Sequence, residues 1–132
     1  MTSTDLISSR WLNNKCTLND QKYLRCSSNG NYGVINGMVS NGMLKQYDIE
    51  AFKDRVAFKY GDRWCADTRK GVRCDRENLN EWELFKVKSI GKGEYALAGG
   101  RSDFKKYCAA EKNRIICNRP WIRGWEKFKF VE

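Results

Sequence analysis

The chain has 132 residues, 41% of them hydrophobic and 31% charged, and its 25 Lys and Arg against 16 Asp and Glu give a net charge of +9. This composition is typical of one folded domain, and no apolar run approaches the roughly 20 residues of a membrane-spanning helix, which argues against disordered and integral membrane proteins. The charge favours acidic partners such as nucleic acid, anionic lipid or an acidic protein filament, without selecting among them.

The N-terminal residues 1–14 are predicted to be a tail or a cap outside the main domain. Within them, the stretch from Asp5 to Asn13 is interpreted as either a helix or a disordered segment. The start of the chain shows no sustained apolar stretch followed by a small-residue cleavage pattern, so no secretory signal is expected.

An internal repeat organises the rest of the chain. A shift of 43 positions superposes residues 65–87 on residues 108–130 without a gap, and the matches include Cys65 on Cys108, Cys74 on Cys117, Trp82 on Trp125, Glu83 on Glu126 and Phe85 on Phe128. A third and more diverged copy is predicted upstream, with Leu24 at the position of Cys65, Gly33-Val34 at that of Gly71-Val72, and Tyr47 and Ile49 at those of Phe85 and Val87. The chain is therefore predicted to contain three units, at 15–54, 55–93 and 94–132.

Short strands are predicted within each unit, because apolar residues alternate with Lys or Arg at a period of two. In chain order, the clearest runs are at residues 16–18, 56–59, 72–74, 85–87, 95–97 and 128–130, and glycine-rich turns such as Lys70-Gly71 and Gly91-Lys92-Gly93 separate them. Four short strands in each of three units predict an all-β fold, a β-trefoil, in which three hairpins cap a six-stranded barrel.

Two cysteine pairs, Cys65 with Cys74 and Cys108 with Cys117, flank the predicted turns of the second and third units. If those turns are two residues long, each pair lies directly opposite across its hairpin, with Cα atoms about 4.5 to 5.5 Å apart. That distance is compatible with a disulfide, although cross-strand geometry is often strained.

Three interpretations of these cysteines stay open: buried apolar residues, disulfides or a zinc site. The first is favoured because Leu24 and Asn36 take the cysteine positions in the first unit, and a leucine fills a core but forms no bridge. Zinc is least favoured, since CxxC spacing and histidine are both missing. Cys16 and Cys26 are also predicted to be packing residues. Reduced thiols in turn predict a cytoplasmic protein.

Catalysis is not expected. The chain contains no histidine, the most frequent general acid and base at neutral pH, and no nucleotide-binding or metalloprotease motif, so neither a cofactor nor a metal is predicted. Glu83 and Glu126 recur at equivalent positions, which indicates a role in the fold, such as bonding a nearby arginine or a turn amide.

A basic surface is the predicted binding site. Its members are the cations of two hairpin tips and of the third unit, together with one loop tryptophan: Arg69, Lys70, Lys105, Lys106, Lys112, Arg114, Arg123 and Trp121. The alternative is that these charges only solvate strand faces. Trp121 either stacks on a sugar or base or closes the bottom of the barrel, and packing is favoured. Trp82 and Trp125 recur and are predicted to be core residues with the four cysteines, Phe85 and Phe128.

The segments RWCADTRKGVRCDRENLNEWELFKVK and KYCAAEKNRIICNRPWIRGWEKFKFVE resemble the repeat of the fascin-like β-trefoils, the actin-cross-linking superfamily that includes hisactophilin-like single domains. The similarity lies in the aromatic before the first cysteine, the V-x-C-[DN]-R strand and the W-E-x-F-x-[VF] strand. It implies binding to filamentous actin, with bundling as a further expectation. Fascins carry four such domains and hisactophilin-like proteins carry histidine-rich loops, and this chain has neither.

Three functions are therefore carried forward: actin binding, carbohydrate binding, and binding of nucleic acid or anionic lipid. Carbohydrate binding ranks second because trefoils often serve as lectins with one shallow site per unit. Against it, the QxW signature of ricin-type lectins is missing. The third function lacks any recognisable RNA-binding motif.

Overall fold

The computed structural model describes residues 5–11, 14–27, 43–46, 55–60 and 62–131. The strands are β1 Asp5–Ser8, β2 Asn14–Lys15, β3 Thr17–Leu18, β4 Leu24–Arg25, β5 Met43–Gln46, β6 Arg55–Tyr60, β7 Arg63–Thr68, β8 Gly71–Arg76, β9 Phe85–Gly91, β10 Glu94–Gly99, β11 Tyr107–Ala110, β12 Ile115–Arg119 and β13 Phe128–Val131. Three-residue 3-10 turns lie at Glu81–Glu83, Gly100–Ser102 and Gly124–Glu126. Within these described ranges, no helix has the length or the apolar character to cross a membrane.

Six strands follow one another in an antiparallel path, in the order β1, β13, β10, β9, β6, β5. Three hairpins, β3–β4, β7–β8 and β11–β12, are built outside this path. This arrangement of six strands and three hairpins is the β-trefoil, and the predicted fold class is confirmed.

The N-terminal segment is part of the sheet. Asp5–Ser8 pairs antiparallel with β13, with Leu6 opposite Phe130. Leu6 and Ser8 are buried while Ile7 is half-buried, so the segment has the period of two that a strand requires. Both earlier interpretations of this stretch, a helix or a disordered tail, are therefore wrong for residues 5–8. The unit boundaries themselves stay a prediction.

All six cysteines form disulfides, in the pairs Cys16–Cys26, Cys65–Cys74 and Cys108–Cys117. The sulfurs are buried, as the favoured interpretation expected, but the expectation of free thiols is wrong. The register explains the pairing, because Cys65 lies directly opposite Cys74 and Cys108 directly opposite Cys117 across their hairpins. The turn between β7 and β8 has the predicted two residues, Arg69 and Lys70.

The first unit was misaligned at its cysteines. Cys16 and Cys26 flank hairpin β3–β4, in which Leu18 pairs with Leu24, so they occupy the places of the later cysteine pairs. Leu24 is a strand residue inside the bridge and does not replace a cysteine. The other anchors proposed for this unit, Gly33-Val34, Asn36, Tyr47 and Ile49, lie outside the described residues.

The core fills the space between the six-strand path and the hairpins. Phe58, Phe85 and Phe130 form its aromatic centre, with ring centroids 5.3 Å apart for Phe58 and Phe85 and 6.4 Å apart for Phe58 and Phe130. Phe85 and Phe128 are almost completely buried, and so are the disulfides. Each large apolar side chain withdrawn from water stabilises the fold by about 1.5–3 kcal/mol.

The turns of the three hairpins meet at one end of the molecule, which we call the hairpin cap and define by the turns at 19–22, 69–70 and 112–113. Asn19 donates from Nδ2 to the carbonyl oxygen of Asn113 at 3.3 Å, and the Lys22 carbonyl accepts the Cys74 amide at 2.8 Å. Gly71 has φ +135°, and a Cβ there would lie only 3.0 Å from the Arg114 side chain. Glycine at this position therefore permits both the backbone and the close packing.

Candidate binding grooves

The predicted basic residues lie in two places and do not form one face. Arg69, Lys70 and Lys112 are exposed on the hairpin cap, where Arg114 lies 3.7 Å from Glu111. Lys105, Lys106, Trp121 and Arg123 lie at the other end of hairpin β11–β12, because Tyr107 pairs with Arg119 there and the chain enters and leaves the hairpin beside that pair. The two groups of basic residues therefore belong to two separate surfaces of the protein.

Three tryptophans are exposed, and the sequence interpretation of all three needs correction. Trp82 is 46% exposed, Trp125 44% and Trp121 53%. Trp82 and Trp125 were predicted to be core residues because they recur, and packing was favoured for Trp121. Recurrence here marks an equivalent surface position in two units.

The geometry of a 3-10 turn explains why these indoles point outward. Trp82 and Trp125 are the central residues of the turns Glu81–Glu83 and Gly124–Glu126. Successive side chains on such a turn are about 120° apart. The following glutamates point inward and are buried, so the tryptophans cannot face the core as well.

Glu83 and Glu126 hold these turns in place. The Glu83 carboxylate accepts the backbone N–H of Asn80 at 2.7 Å, and the Glu126 carboxylate accepts that of Arg123 at 2.6 Å. Each glutamate satisfies an amide that would otherwise lack a partner at the start of the turn. The prediction that these residues bond turn amides is confirmed.

An open groove surrounds the tryptophan of the second unit. Its volume is about 630 Å³. Its lining is formed by Arg76, Glu77, Asn78, Asn80, Glu81, Trp82 and Glu83. Apart from the indole, the walls carry guanidinium, amide and carboxylate groups, which donate hydrogen bonds to hydroxyls or accept hydrogen bonds from them. We call this the Trp82 groove.

A second groove surrounds the tryptophans of the third unit. Its volume is about 430 Å³. Its lining is formed by Arg119, Trp121, Arg123, Gly124, Trp125 and Glu126. Most of its boundary is aromatic or arginine. We call this the Trp125 groove.

The two grooves are the same place in two copies of the repeat. The shift of 43 positions that superposes the cysteines also superposes the linings, placing Arg76 on Arg119, Trp82 on Trp125 and Glu83 on Glu126. The other lining positions differ: Asn78 becomes Trp121, Asn80 becomes Arg123 and Glu81 becomes Gly124. The backbone and its turn are thus repeated, while the surface chemistry is not.

Arginines surround Trp125. The Arg10 guanidinium lies 3.4 Å from the centroid of Trp125 and 4.3 Å from that of Trp11, and it donates to the Ala110 carbonyl at 2.6 Å. Arg119 lies 5.9 Å from the same ring. Cation–π attraction therefore holds one tryptophan firmly. Among the described residues, no cation lies comparably over Trp82.

Asp67 is the one strongly perturbed acid of the described chain, and it lies outside both grooves. It is fully buried, and its Oδ2 accepts the Arg101 amide at 3.2 Å. Burial raises the pKa of Asp67 to about 6, although the Arg101 charge and amide oppose this shift. A Cβ added to Gly99 would collide with its carboxylate. Asp67 therefore joins hairpin β7–β8 to the Gly100–Ser102 turn.

No metal site is formed by the residues that the structure describes, since none of them form a cluster of three or more potential ligands. The arrangement of the grooves suits a different task. An exposed indole presents a flat apolar face whose negative charge attracts the slightly positive C–H groups on the face of a sugar ring. Nearby polar groups then fix the orientation of the ring through its hydroxyls.

The signal for these grooves was present in the sequence. Trp82 follows Asn80 and Glu81 and precedes Glu83, so polar residues surround it without the alternation of a buried strand. A large aromatic in such a polar context is as compatible with a surface position as with a core one. The repeat then identifies the partner groove through Trp125.

Comparison with known proteins identifies the fold alone. No protein-family model and no curated protein matches the chain. Among solved structures, the chain is similar to the structure of SeviL bound to asialo-GM1 saccharide, with a TM-score of 0.70 and 11% sequence identity. The match covers 100% of this chain and 98% of the SeviL chain. The chain is also similar to ThreeFoil, a designed 3-fold symmetric protein, with a TM-score of 0.72, 10% identity, and coverage of 98% and 97%.

Proposed function

We propose that the protein is a non-enzymatic glycan-binding module of the lectin type. The observation that carries this proposal is the pair of equivalent grooves, each with a recurring and exposed indole. Each indole leaves a large apolar face in water beside polar groups, and the same surface position is used in two units, which favours a ligand. Trp82 in particular has no protein cation over its ring among the described residues.

The fold shared with a saccharide-bound protein supports this proposal. SeviL is described as bound to a saccharide, and the fold is shared over 100% of this chain and 98% of the SeviL chain. Its identity to this chain is too low to transfer a site. The missing QxW signature is compatible with the proposal because the grooves described above use a different Trp-Glu pair at the turn between hairpin and barrel strand.

Two grooves on one small domain favour multivalent ligands. Each shallow groove makes few contacts, so we expect weak binding at either one alone. A branched or clustered glycan that reaches both grooves gains from the high effective concentration of its second end.

We also propose an oxidising location for the protein. The cytoplasmic expectation depended on reduced thiols, and three buried disulfides favour a secreted or otherwise oxidising environment. Such a location suits a ligand displayed on cell surfaces. Fractionation of the source cells tests it, and recovery of the protein only from the reducing cytosol would overturn this part of the proposal.

A glycan array at several salt concentrations tests the main proposal, followed by calorimetry on the best ligand. Trp82→Ala is expected to weaken binding about tenfold at the second-unit groove, and Trp82→Phe to retain most of it because a flat ring remains. Lys88→Ala, at an exposed position on β9, is the matched surface control. If the wild-type protein binds no glycan at any salt concentration, the proposal is wrong.

Chemical oxidation offers an independent measurement. N-bromosuccinimide is expected to modify the three exposed tryptophans before Trp64, which is buried. A bound glycan should protect Trp82 and at least one of Trp121 and Trp125. Modification at the same rate with and without a bound ligand would place the ligand elsewhere.

Binding of a polyanion such as filamentous actin is the second candidate. The exposed cations of the hairpin cap, Arg69, Lys70 and Lys112, favour it, together with the resemblance to fascin-like repeats. Co-sedimentation with actin filaments over a salt series separates the two functions, since the cap should release its partner as salt screens the charges. Glycan binding through indole stacking should survive high salt at the Trp82 groove.

A further inference from the structure

We propose, on the basis of the proposed glycan-binding function, that the Trp125 groove selects saccharides that carry a carboxylate or a sulfate, while the Trp82 groove does not. The same backbone position would then read two classes of sugar within one domain. The two grooves differ in the charged groups that remain free to meet a ligand.

Arg123 is the cation available to a ligand. Its guanidinium lies 4.6 Å from the centroid of Trp121, and the residue is exposed. Its backbone N–H is bonded to Glu126, but no described carboxylate lies within ion-pair distance of its side chain. The guanidinium fork therefore keeps donors for the two oxygens of a carboxylate or sulfate.

The neighbouring charges are already paired or shielded. Arg119 contacts Glu111 at 2.8 Å, and Arg10 donates to the Ala110 carbonyl. The Glu126 carboxylate is buried against the Arg123 amide. Arg123 therefore carries the positive charge of this groove that no described carboxylate pairs, while the one acidic group of the lining is turned away from the opening.

The Trp82 groove has the opposite character. Asn80 occupies the place of Arg123, and the exposed acids Glu77 and Glu81 replace Pro120 and Gly124. Glu83 is turned inward there, as Glu126 is in the Trp125 groove, so neither acid faces a ligand. Glu77 pairs with Arg63 at 2.9 Å, which leaves Glu81 as the exposed acid of the Trp82 groove without an ion-pair partner among the described residues. The lining of the Trp125 groove has no exposed acid. An anionic sugar would meet repulsion at the first groove and attraction at the second.

Trp121 provides a second contact for the ligand in this groove. Its ring lies beside the Arg123 guanidinium and is exposed, whereas the second unit has Asn78 at that position. A sugar ring stacked on the indole brings its acidic substituent toward Arg123. The groove thus recognises a ring and a charge together, which a free inorganic anion cannot satisfy.

The test compares matched oligosaccharides by calorimetry: one neutral, the same chain ending in a carboxylate-bearing sugar, and the same chain with a sulfate ester. Wild-type protein is expected to bind at least one acidic form about tenfold more tightly than the neutral form, and the preference should shrink from 50 to 500 mM salt. The carboxylate and sulfate arms identify which group is read.

Variants assign the preference to the groove. Arg123→Asn, which introduces the residue of the second unit, should abolish the preference, and Arg123→Lys should keep part of it because the charge stays while the fork is lost. Lys88→Asn removes one positive charge elsewhere and should change nothing. The reciprocal Asn80→Arg should raise binding of the acidic form.

The outcomes separate this inference from the proposed function. Equal affinity of wild-type protein for neutral and acidic forms, or a preference that survives Arg123→Asn, overturns the inference and leaves glycan binding intact. Binding of neither form overturns both.

Discussion

The second and third units share a skeleton and differ in their surfaces. Each has a cross-strand disulfide in its hairpin, a glutamate bonded to a turn amide and a buried phenylalanine that follows. Yet one groove is acidic and polar and the other is aromatic and basic. The difference shows that packing preserved the interior of both copies while the exposed positions of each groove were free to diverge.

The interior is not perfectly symmetric either. Asp67 is buried in the second unit, and the equivalent residue of the third unit is Ala110. A buried acid on one side and a methyl group on the other make the two hairpins respond differently to pH. The comparison can therefore be tested with variants that should act equally in both units and with variants that should act in only one.

Removal of a hairpin disulfide should lower the free energy of unfolding more than any of the other substitutions, and by the same amount in the second and third units. Cys65→Ala with Cys74→Ala, and Cys108→Ala with Cys117→Ala, should each lower the free energy of unfolding by about 2–4 kcal/mol, because both bridges restrain the unfolded chain over a sequence separation of 9. Urea titration measures this. The control is a thiol count on denatured, unreduced wild type, and any free thiol would contradict the three bridges.

Asp67→Asn should remove a pH dependence that the third unit, with Ala110 at the equivalent position, lacks. The folded protein keeps the Asp67 proton up to a pKa of about 6, whereas the unfolded chain releases it near 3.8. The free energy of unfolding should therefore fall by about 3 kcal/mol as pH rises from about 4 to about 6, and stay lower above.

Thermal unfolding of wild type and variant across that range measures the slope. Asp62→Asn is the control, since the Asp62 side chain is 86% exposed and should leave the slope unchanged. A slope that persists in Asp67→Asn would mean that another acid causes it.

Replacing either of the two glutamates that accept a turn amide should lower the free energy of unfolding by less than the loss of a disulfide, and by the same amount in both units. Glu83→Ala and Glu126→Ala each leave a backbone N–H without its acceptor and should lower the free energy of unfolding by about 1–2 kcal/mol. Glu83→Gln keeps an acceptor and should cost less. Urea titration measures all three, and a large difference between the two alanine variants would show that the turns are not equivalent.

Trp125→Ala should destabilise slightly more than Trp82→Ala. The Arg10 guanidinium lies over the Trp125 ring. Trp125→Ala should therefore lower the free energy of unfolding by about 0.5–1 kcal/mol more than Trp82→Ala does. Arg10→Ala tests the cause, since in that background the two tryptophan variants should become equal. Equal costs in the wild-type background would show that the Arg10 contact contributes nothing.

Much of the fold could be predicted because the repeat aligns without a gap from residue 65 to residue 87, and its matches include the cysteines and the W-E-x-F segment. The opposition of Cys65 and Cys74 also followed from the turn spacing. The disulfides themselves were missed because the first unit was aligned on Leu24, and its true cysteines, Cys16 and Cys26, are separated by 10 positions instead of 9. Because the spacing of the cysteines in the first hairpin is one residue longer, the repeat alignment did not pair Cys16 with Cys26.

The grooves were harder to predict than the barrel. Recurrence at Trp82 and Trp125 was interpreted as burial, although it equally marks a repeated surface position. Sequence spacing does not report which side of a 3-10 turn faces the core. That choice depends on the glutamate that follows, whose bond to the turn amide is visible only in three dimensions.

The sequence by itself determined the trefoil, because alternating apolar residues and a 43-residue repeat leave few ways to bury three similar hairpins. Tertiary structure alone decided which side chains reach solvent and which charges are paired. Arg119 ends β12 and Arg123 lies four residues later, yet among the described residues a carboxylate lies within ion-pair distance of the Arg119 side chain and not of the Arg123 side chain. Pairing and exposure depend on distances between residues far apart in the chain, and those distances exist only after the fold has formed.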